Sequence, residues 1–185
     1  MTVNTIASID IETAGLSEKA TVLTVGAVVF VVGDKPQEMC SLHLNFNTYE
    51  QRFSLLREWD EHVLEWWETQ PEALRNSVFR STDLPVAQSL GLLTTMIEDA
   101  DEYWANSPNF DLDILNNLYA DCKMQSPLVY KKHRDYRTLI SLYEKLKGKT
   151  WNKSREGSAH DALWDARNQG LDIINIISDL KGEAS

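Results

Sequence analysis

The first hydrophobic run of the chain, Thr5-Ile6-Ala7-Ser8-Ile9-Asp10-Ile11-Glu12-Thr13, ends on two carboxylates that packing alone does not explain. Along a strand, residues i and i+2 point to the same side, so Asp10 and Glu12 stand together while Ile9 and Ile11 face the opposite layer. Such a strand belongs inside a layered fold, with its acidic end where ligands gather, at the carboxyl end of the sheet. Like charges held that close repel one another. A divalent cation removes the repulsion, and oxygen donors from Asp and Glu suit Mg²⁺ or Mn²⁺ rather than zinc.

The rest of the pattern tells where this strand sits. Thr21 to Val32 is rich in Val and reads as a buried strand, and Ser41-Leu42-His43-Leu44-Asn45 alternates like a third, with Gly33-Asp34-Lys35-Pro36 as the turn between them. From about Asp60 the period becomes helical: Val63, Leu64, Trp66 and Trp67 fit one helix, Pro71 can begin a second, and Pro85 to Ala100 carries Val86, Leu90, Leu93 and Ile97 on one stripe. Glu102-Tyr103-Trp104-Ala105 reads as a short strand, Asn109 or a neighbour caps a helix through Tyr119, and Leu128-Val129-Tyr130 reads as an edge strand. Helices over about Thr138–Leu146 and Asp161–Leu180 complete an α/β fold, a mixed central sheet flanked by helices, in a single domain spanning residues 1–185.

Composition narrows the function. The longest apolar run, Val22 to Val32, is interrupted by Thr24 and Gly26 and is too short to span a bilayer. Met1-Thr2-Val3-Asn4 offers no positive charge ahead of an apolar core, so no secretory signal is read and a soluble cytoplasmic protein is expected. Cys40 and Cys122 lie far apart without ligand-like spacing and read as reduced, partly buried thiols. A net charge of −10 argues at first against nucleic acid. Its distribution is uneven: between Lys123 and Arg155 ten basic residues stand against two acidic ones, a segment of +8 in a chain otherwise carrying −18. A charge run is more often a solvated face than a binding site, and this one gains weight only beside a metal-carboxylate site.

Further candidates lie downstream. Asp111, after Ser107-Pro108-Asn109-Phe110, falls in the first turn of a helix, where the dipole favours an anion; Asp113 reads as an exposed first-turn acid. In Ser158-Ala159-His160-Asp161-Ala162-Leu163-Trp164-Asp165, a five-residue step on one helix would turn about 140°, so His160 and Asp165 cannot share a helical face. His160 is therefore expected in the loop before the helix, with Ser158 or Asp161 as cap and Asp165 pointing inward from the second turn.

Asp10-x-Glu12-Thr13, Phe110-Asp111-x-x-x-Leu115 and His160-x-x-x-x-Asp165-Ala166 are similar, in order and spacing, to the three motifs of the DEDDh (RNase T, DnaQ-like) exonuclease superfamily. The sister DEDDy group carries Tyr four residues before the last Asp, and position 161 here is Asp. Trp66-Trp67, Gln70-Pro71-Glu72-Ala73, Trp104-Ala105-Asn106-Ser107 and Arg134-Asp135-Tyr136-Arg137-Thr138-Leu139 resemble the bacterial and phage subgroup that includes RNase AS; Ala14-Gly15-Leu16 departs slightly from the more frequent Thr-Gly-Leu.

The resemblance implies a ribonuclease H-like fold and hydrolysis from a 3′ end to nucleoside 5′-monophosphates with two Mg²⁺ or Mn²⁺ ions. Asp10, Glu12 and Asp165 would hold the ion that activates water, Asp10 and Asp111 the second, and His160 would be general base. Leu16 matches the position that wedges against the terminal base, Thr13 and Ala14 lie near the sugar, and Asn106 joins them as a substrate-binding position. Trp66 and Trp104 read as core residues more readily than as base-stacking ones. Arg137 is read equally as a structural residue or a phosphate ligand. The partner is a single-stranded nucleic acid 3′ end, RNA ahead of DNA, with no membrane and a possible homodimer. An exodeoxyribonuclease, or a binding module that has lost catalysis, are the competing readings, and the intact set of Asp10, Glu12, Asp111, His160 and Asp165 weighs against the last.

Overall fold

Five strands, β1 (Asn4–Thr13), β2 (Val22–Val32), β3 (Gln37–Asn45), β4 (Glu102–Ala105) and β5 (His133–Asp135), make one sheet in the computed structural model, which describes residues 4–33 and 36–182. Their order is β3-β2-β1-β4-β5. The first three form an antiparallel meander, and β4 and β5 add in parallel on the other side of β1. β1 is therefore central. Its Ala7, Ile9 and Ile11 pack with α4 (Val86–Ile97) and α5 (Pro108–Asp121) on one face, through Leu90, Leu93, Leu112 and Leu115. Ile6, Val28, Phe30 and Trp104 meet α6 (Tyr136–Lys147) and α7 (Ala162–Lys181) on the other. Both faces of the sheet are covered, which is why β2 reads as a continuous Val-rich run instead of an alternating one.

A third cluster lies past the carboxyl end of β1. There α2 (Glu61–Glu68) and α3 (Glu72–Val78) bring Trp67, Leu74 and Val78 against Ala14 and Leu23. The Trp67 indole N–H donates to the Thr13 carbonyl at 3.0 Å, tying α2 to the end of β1. A further helix, α1 (Thr48–Phe53), capped by the Asn47 side chain accepting from Glu50 N–H, was not evident from periodicity because six residues show less than two turns.

Several expectations need correction. The edge strand is His133–Asp135; Leu128 is instead buried in the core, and Tyr130–Lys132 forms a single 3₁₀ turn. The third strand starts at Gln37, and Cys40 on it is exposed. Ser107 occupies the cap position of α5 ahead of Pro108. Asp113 is exposed, but past the first turn. Asp34 and Lys35 of the expected turn, and Met1 to Val3 of the N-terminus, lie outside the described residues. Among the described residues no helix is long and apolar enough to cross a membrane.

Candidate active site

β1 delivers Asp10 and Glu12 to a cavity of about 370 Å³ whose walls also include Asp111, His160 and Asp165. Directly opposite Asp10 in the antiparallel ladder stands Gly26. A Cβ there would lie 2.1 Å from the Ala162 carbonyl, so the absent side chain lets the first turn of α7 rest on the sheet beside Asp10. That contact brings in Asp165. A register shift between Glu12 and Thr13 ends the regular ladder at the site.

Asp161 caps α7 by accepting from the Leu163 and Trp164 N–H groups, and His160 lies before it in the loop, as expected. Asp165 belongs to the first turn rather than the second. His160 has a left-handed backbone, φ 62°, and its N–H donates to Asp165 Oδ2 at 2.8 Å. Two residues define its ring position: Trp66, with ring centroids 4.9 Å apart and planes at 85°, and more distantly Trp67 at 6.4 Å. Trp66 is 40% exposed, so the expectation of a core residue fails for it while holding for Trp104. The outward face of α2 carries Trp66 past the core, whereas Trp67 fills the interior.

Electrostatics divide the carboxylates into two overlapping groups. Burial first, then the charge of Asp111, then that of Glu12, pushes the Asp10 carboxyl well above the usual carboxylate range. For Glu12, also raised well above its ordinary value, burial is followed by Asp165. Asp111, 5% exposed, is pushed up to about 7 by burial, although the Ser107 and Ile11 N–H groups donate to it and the Arg137 charge opposes the rise. Burial also raises Asp165, against the His160 N–H bond. Donor atoms of Glu12, His160 and Asp165 lie within 4.8 Å of one another. Four oxygen-bearing acids with unrelieved repulsion fit hard divalent cations, with Asp10 linking the Glu12–Asp165 side to Asp111.

The substrate-binding candidates separate. Asn106 lines the acidic cavity. Thr13 and Leu16 line a neighbouring apolar cavity of about 500 Å³, walled also by Val63, Trp66 and Phe110 and sharing Glu12 with the first. Leu16 is 69% exposed. Ala14 is buried, with its N–H on Thr21 and its carbonyl accepting from Asp60, so its backbone polar groups are committed to the fold. Arg137 donates to the Ser107 hydroxyl at 2.8 Å rather than to Asp135, which instead caps α6. Gln169, Asn168, Tyr136 and Lys153 also line the acidic cavity; Gln169, Asn168 and Lys153 belong to no motif, and Tyr136 carries no functional expectation from the segment around Arg137.

Fold and cavity are those of a 3′-5′ exonuclease domain. Residues 5–176 match the model of the 3′-5′ exoribonuclease Rv2179c-like domain, and the chain belongs to that family. A comparison with curated proteins gave no significant match. Among solved structures, the chain is similar to cell-death related nuclease 4 (TM-score 0.62, 17% identity, 97% of this chain and 65% of that one). It is similar as well to the nuclease domain of 3′hExo, a DEDDh family member bound to rAMP (0.56, 14%, 100% and 96%). E. coli exonuclease I in its complex with single-stranded DNA gives 0.64 at 12% identity, over 97% of this chain and 41% of that one. These likenesses establish the ribonuclease H-like fold. The chain spans about two thirds of the first of these proteins and less than half of exonuclease I.

Proposed function

We propose that the protein removes nucleotides from the 3′ end of single-stranded RNA as 5′-monophosphates, with two Mg²⁺ or Mn²⁺ ions and His160 as general base. The observation that carries this reading is the convergence of Asp10, Glu12, Asp111, Asp165 and His160 on one cavity. RNA is placed ahead of DNA because the matched family is described as exoribonuclease. Glu12 and Asp165 with Asp10 would hold one ion, and Asp10 with Asp111 the other. When bound, such ions lower the pKa of water and stabilise a leaving oxygen. His160 takes the proton from the attacking water, since imidazole is the side chain that exchanges protons near neutral pH. Its bond to Asp165 runs through the backbone, which fixes the loop while leaving both ring nitrogens available.

Leu16 and Thr13, on the apolar cavity, would pack against the terminal nucleoside, and Asn106, on the acidic cavity, would bond to it. The committed backbone of Ala14 makes it a support for Thr13 rather than a contact. The test is digestion of 5′-labelled single-stranded RNA, single-stranded DNA and duplexes with Mg²⁺, Mn²⁺ or EDTA, for wild type and His160→Asn. A metal-dependent ladder from the 3′ end is expected, fastest on RNA. His160→Asn is expected to lower turnover by about 10²- to 10⁴-fold with metal affinity unchanged. A matching loss of metal affinity would make His160 a ligand instead, and faster cleavage of DNA would reverse the substrate assignment.

A further inference from the structure

The basic segment Lys123–Arg155 is not a uniform positive face. Lys132 donates to the Ala100 carbonyl, Arg134 pairs with Glu102, and Lys147 and Lys149 converge on Asp179. Arg137 is engaged with Ser107. Lys153 is different. It lines the acidic cavity, and among the described residues no carboxylate lies within ion-pair distance of it. Its ammonium sits 5.4 Å from the centre of the Tyr136 ring, which itself forms part of the cavity wall.

The segment that presents Lys153 has no regular secondary structure, yet side chains fix it at three points. Trp151 N–H donates to Glu144, and Glu156 exchanges two hydrogen bonds with the Asn168 side chain. Between them, the Ser154 N–H and hydroxyl both donate to Asp172, at 3.1 and 2.7 Å. Asp172 is 1% exposed and takes a further hydrogen bond from the Tyr136 hydroxyl. One buried carboxylate thus locks both the residue after Lys153 and the aromatic ring beneath its ammonium. Burying a carboxylate without a cation is costly and is sustained here by three hydrogen bonds. The result is a single ammonium at a fixed place on the wall of a site whose acids would be taken up by metal.

We infer that Lys153 is a substrate-binding residue, pairing its ammonium with a phosphate of the strand held in the acidic cavity. The inference rests on the nucleic-acid reading of that cavity. Asp172, Ser154 and Tyr136 position it. A lysine neutralising one phosphate of a single strand contributes about 0.7 to the slope of log affinity against log salt concentration.

Binding of a fluorescent 12-nucleotide single-stranded RNA, measured by anisotropy with Mg²⁺ in a His160→Asn background, which keeps all four carboxylates and consumes the strand slowly, tests this. Lys153→Ala should weaken binding about tenfold at low salt. Its salt slope should be shallower by about 0.7, and Lys153→Arg should restore most of both. Lys145→Ala, an equal change in net charge at an exposed position of α6, should leave binding near its starting value. An unchanged slope in Lys153→Ala, or an equal effect of Lys145→Ala, overturns the assignment while the digestion ladder still stands. Absence of both binding and ladder overturns the exonuclease reading and this one with it.

Discussion

The two ends of α5 bury their carboxylates in opposite ways. Asp111, in the first turn, has the helix dipole in its favour and two backbone N–H groups donating to it, yet its pKa is pushed up to about 7. Asp121, the last residue of the same helix, faces an unfavourable dipole but meets Arg57 at 2.7 Å and Lys19 at 2.5 Å. The Arg57 side chain has no exposed surface and also donates to the Ala20 and Glu18 carbonyls. Local helix electrostatics would rank the two sites the other way. What decides is burial and the company of charges: burial pushes Asp111 up even though the Arg137 charge opposes the rise, whereas Asp121 meets two cations, Arg57 and Lys19. A structural acid is satisfied by the protein itself, and a functional one is left for a ligand to satisfy.

Substitutions at the two ends should therefore differ in kind. The largest effect is expected for Asp10→Ala, which should reduce nucleotide release to the level of an EDTA control while leaving the fold intact. Because it also relieves repulsion, its Tm in EDTA should equal or exceed that of wild type, by about 2–4 °C for each 1 kcal/mol gained. Retained cleavage, or a large fall in Tm, would erase the contrast. At the other end, Arg57→Ala should cost about 3 kcal/mol of stability in urea unfolding, the low end for a broken buried pair because Lys19 still screens Asp121. Metal-dependent activity of the folded fraction should persist, and a loss of activity without a loss of stability would show that the two ends are not separable.

The smallest effect is a pH dependence. A carboxyl whose folded pKa lies above its unfolded value holds its proton more tightly in the folded state. Its folded state is therefore favoured most at low pH, and that advantage is lost as pH rises from the ordinary value near 4 through about 7 for Asp111. Thermal melting in EDTA should show Tm falling over this range by a few degrees. Asp111→Asn should flatten the fall, and saturating Mg²⁺ should cancel it. A Tm that rises with pH in EDTA would mean the acids are already satisfied in the protein.

Much of this was legible in the sequence because the relevant signals are local. Asp10 and Glu12 share a side by strand geometry, Asp111 follows a Pro at a helix start, and the spacing of His160 to Asp165 excluded a common helical face. Errors arose where tertiary contacts overrode local pattern. Leu128-Val129-Tyr130 has the composition of a strand, but Leu128 is drawn into the core and pairing with β4 goes to the polar residues His133 to Asp135. Trp66 and Trp67 look alike in sequence, and only the facing of α2 sends one inward and the other to His160. Lys153 was one charge among ten. Its distinction depends on Asp172 and Tyr136, which lie far from it along the chain and announce nothing by themselves.

Gly26 sets a limit on how this domain can diverge. Any side chain there meets the backbone of Ala162 and Leu163, and relief comes most readily by lifting the start of α7 away from the sheet. The hydrophobic layers below would hold, since Ile173, Ile174 and Ile176 anchor the remainder of that helix. Asp165, however, rides on the part that lifts. A lineage that fills this one empty position gives up the spacing of its acids long before it gives up its fold.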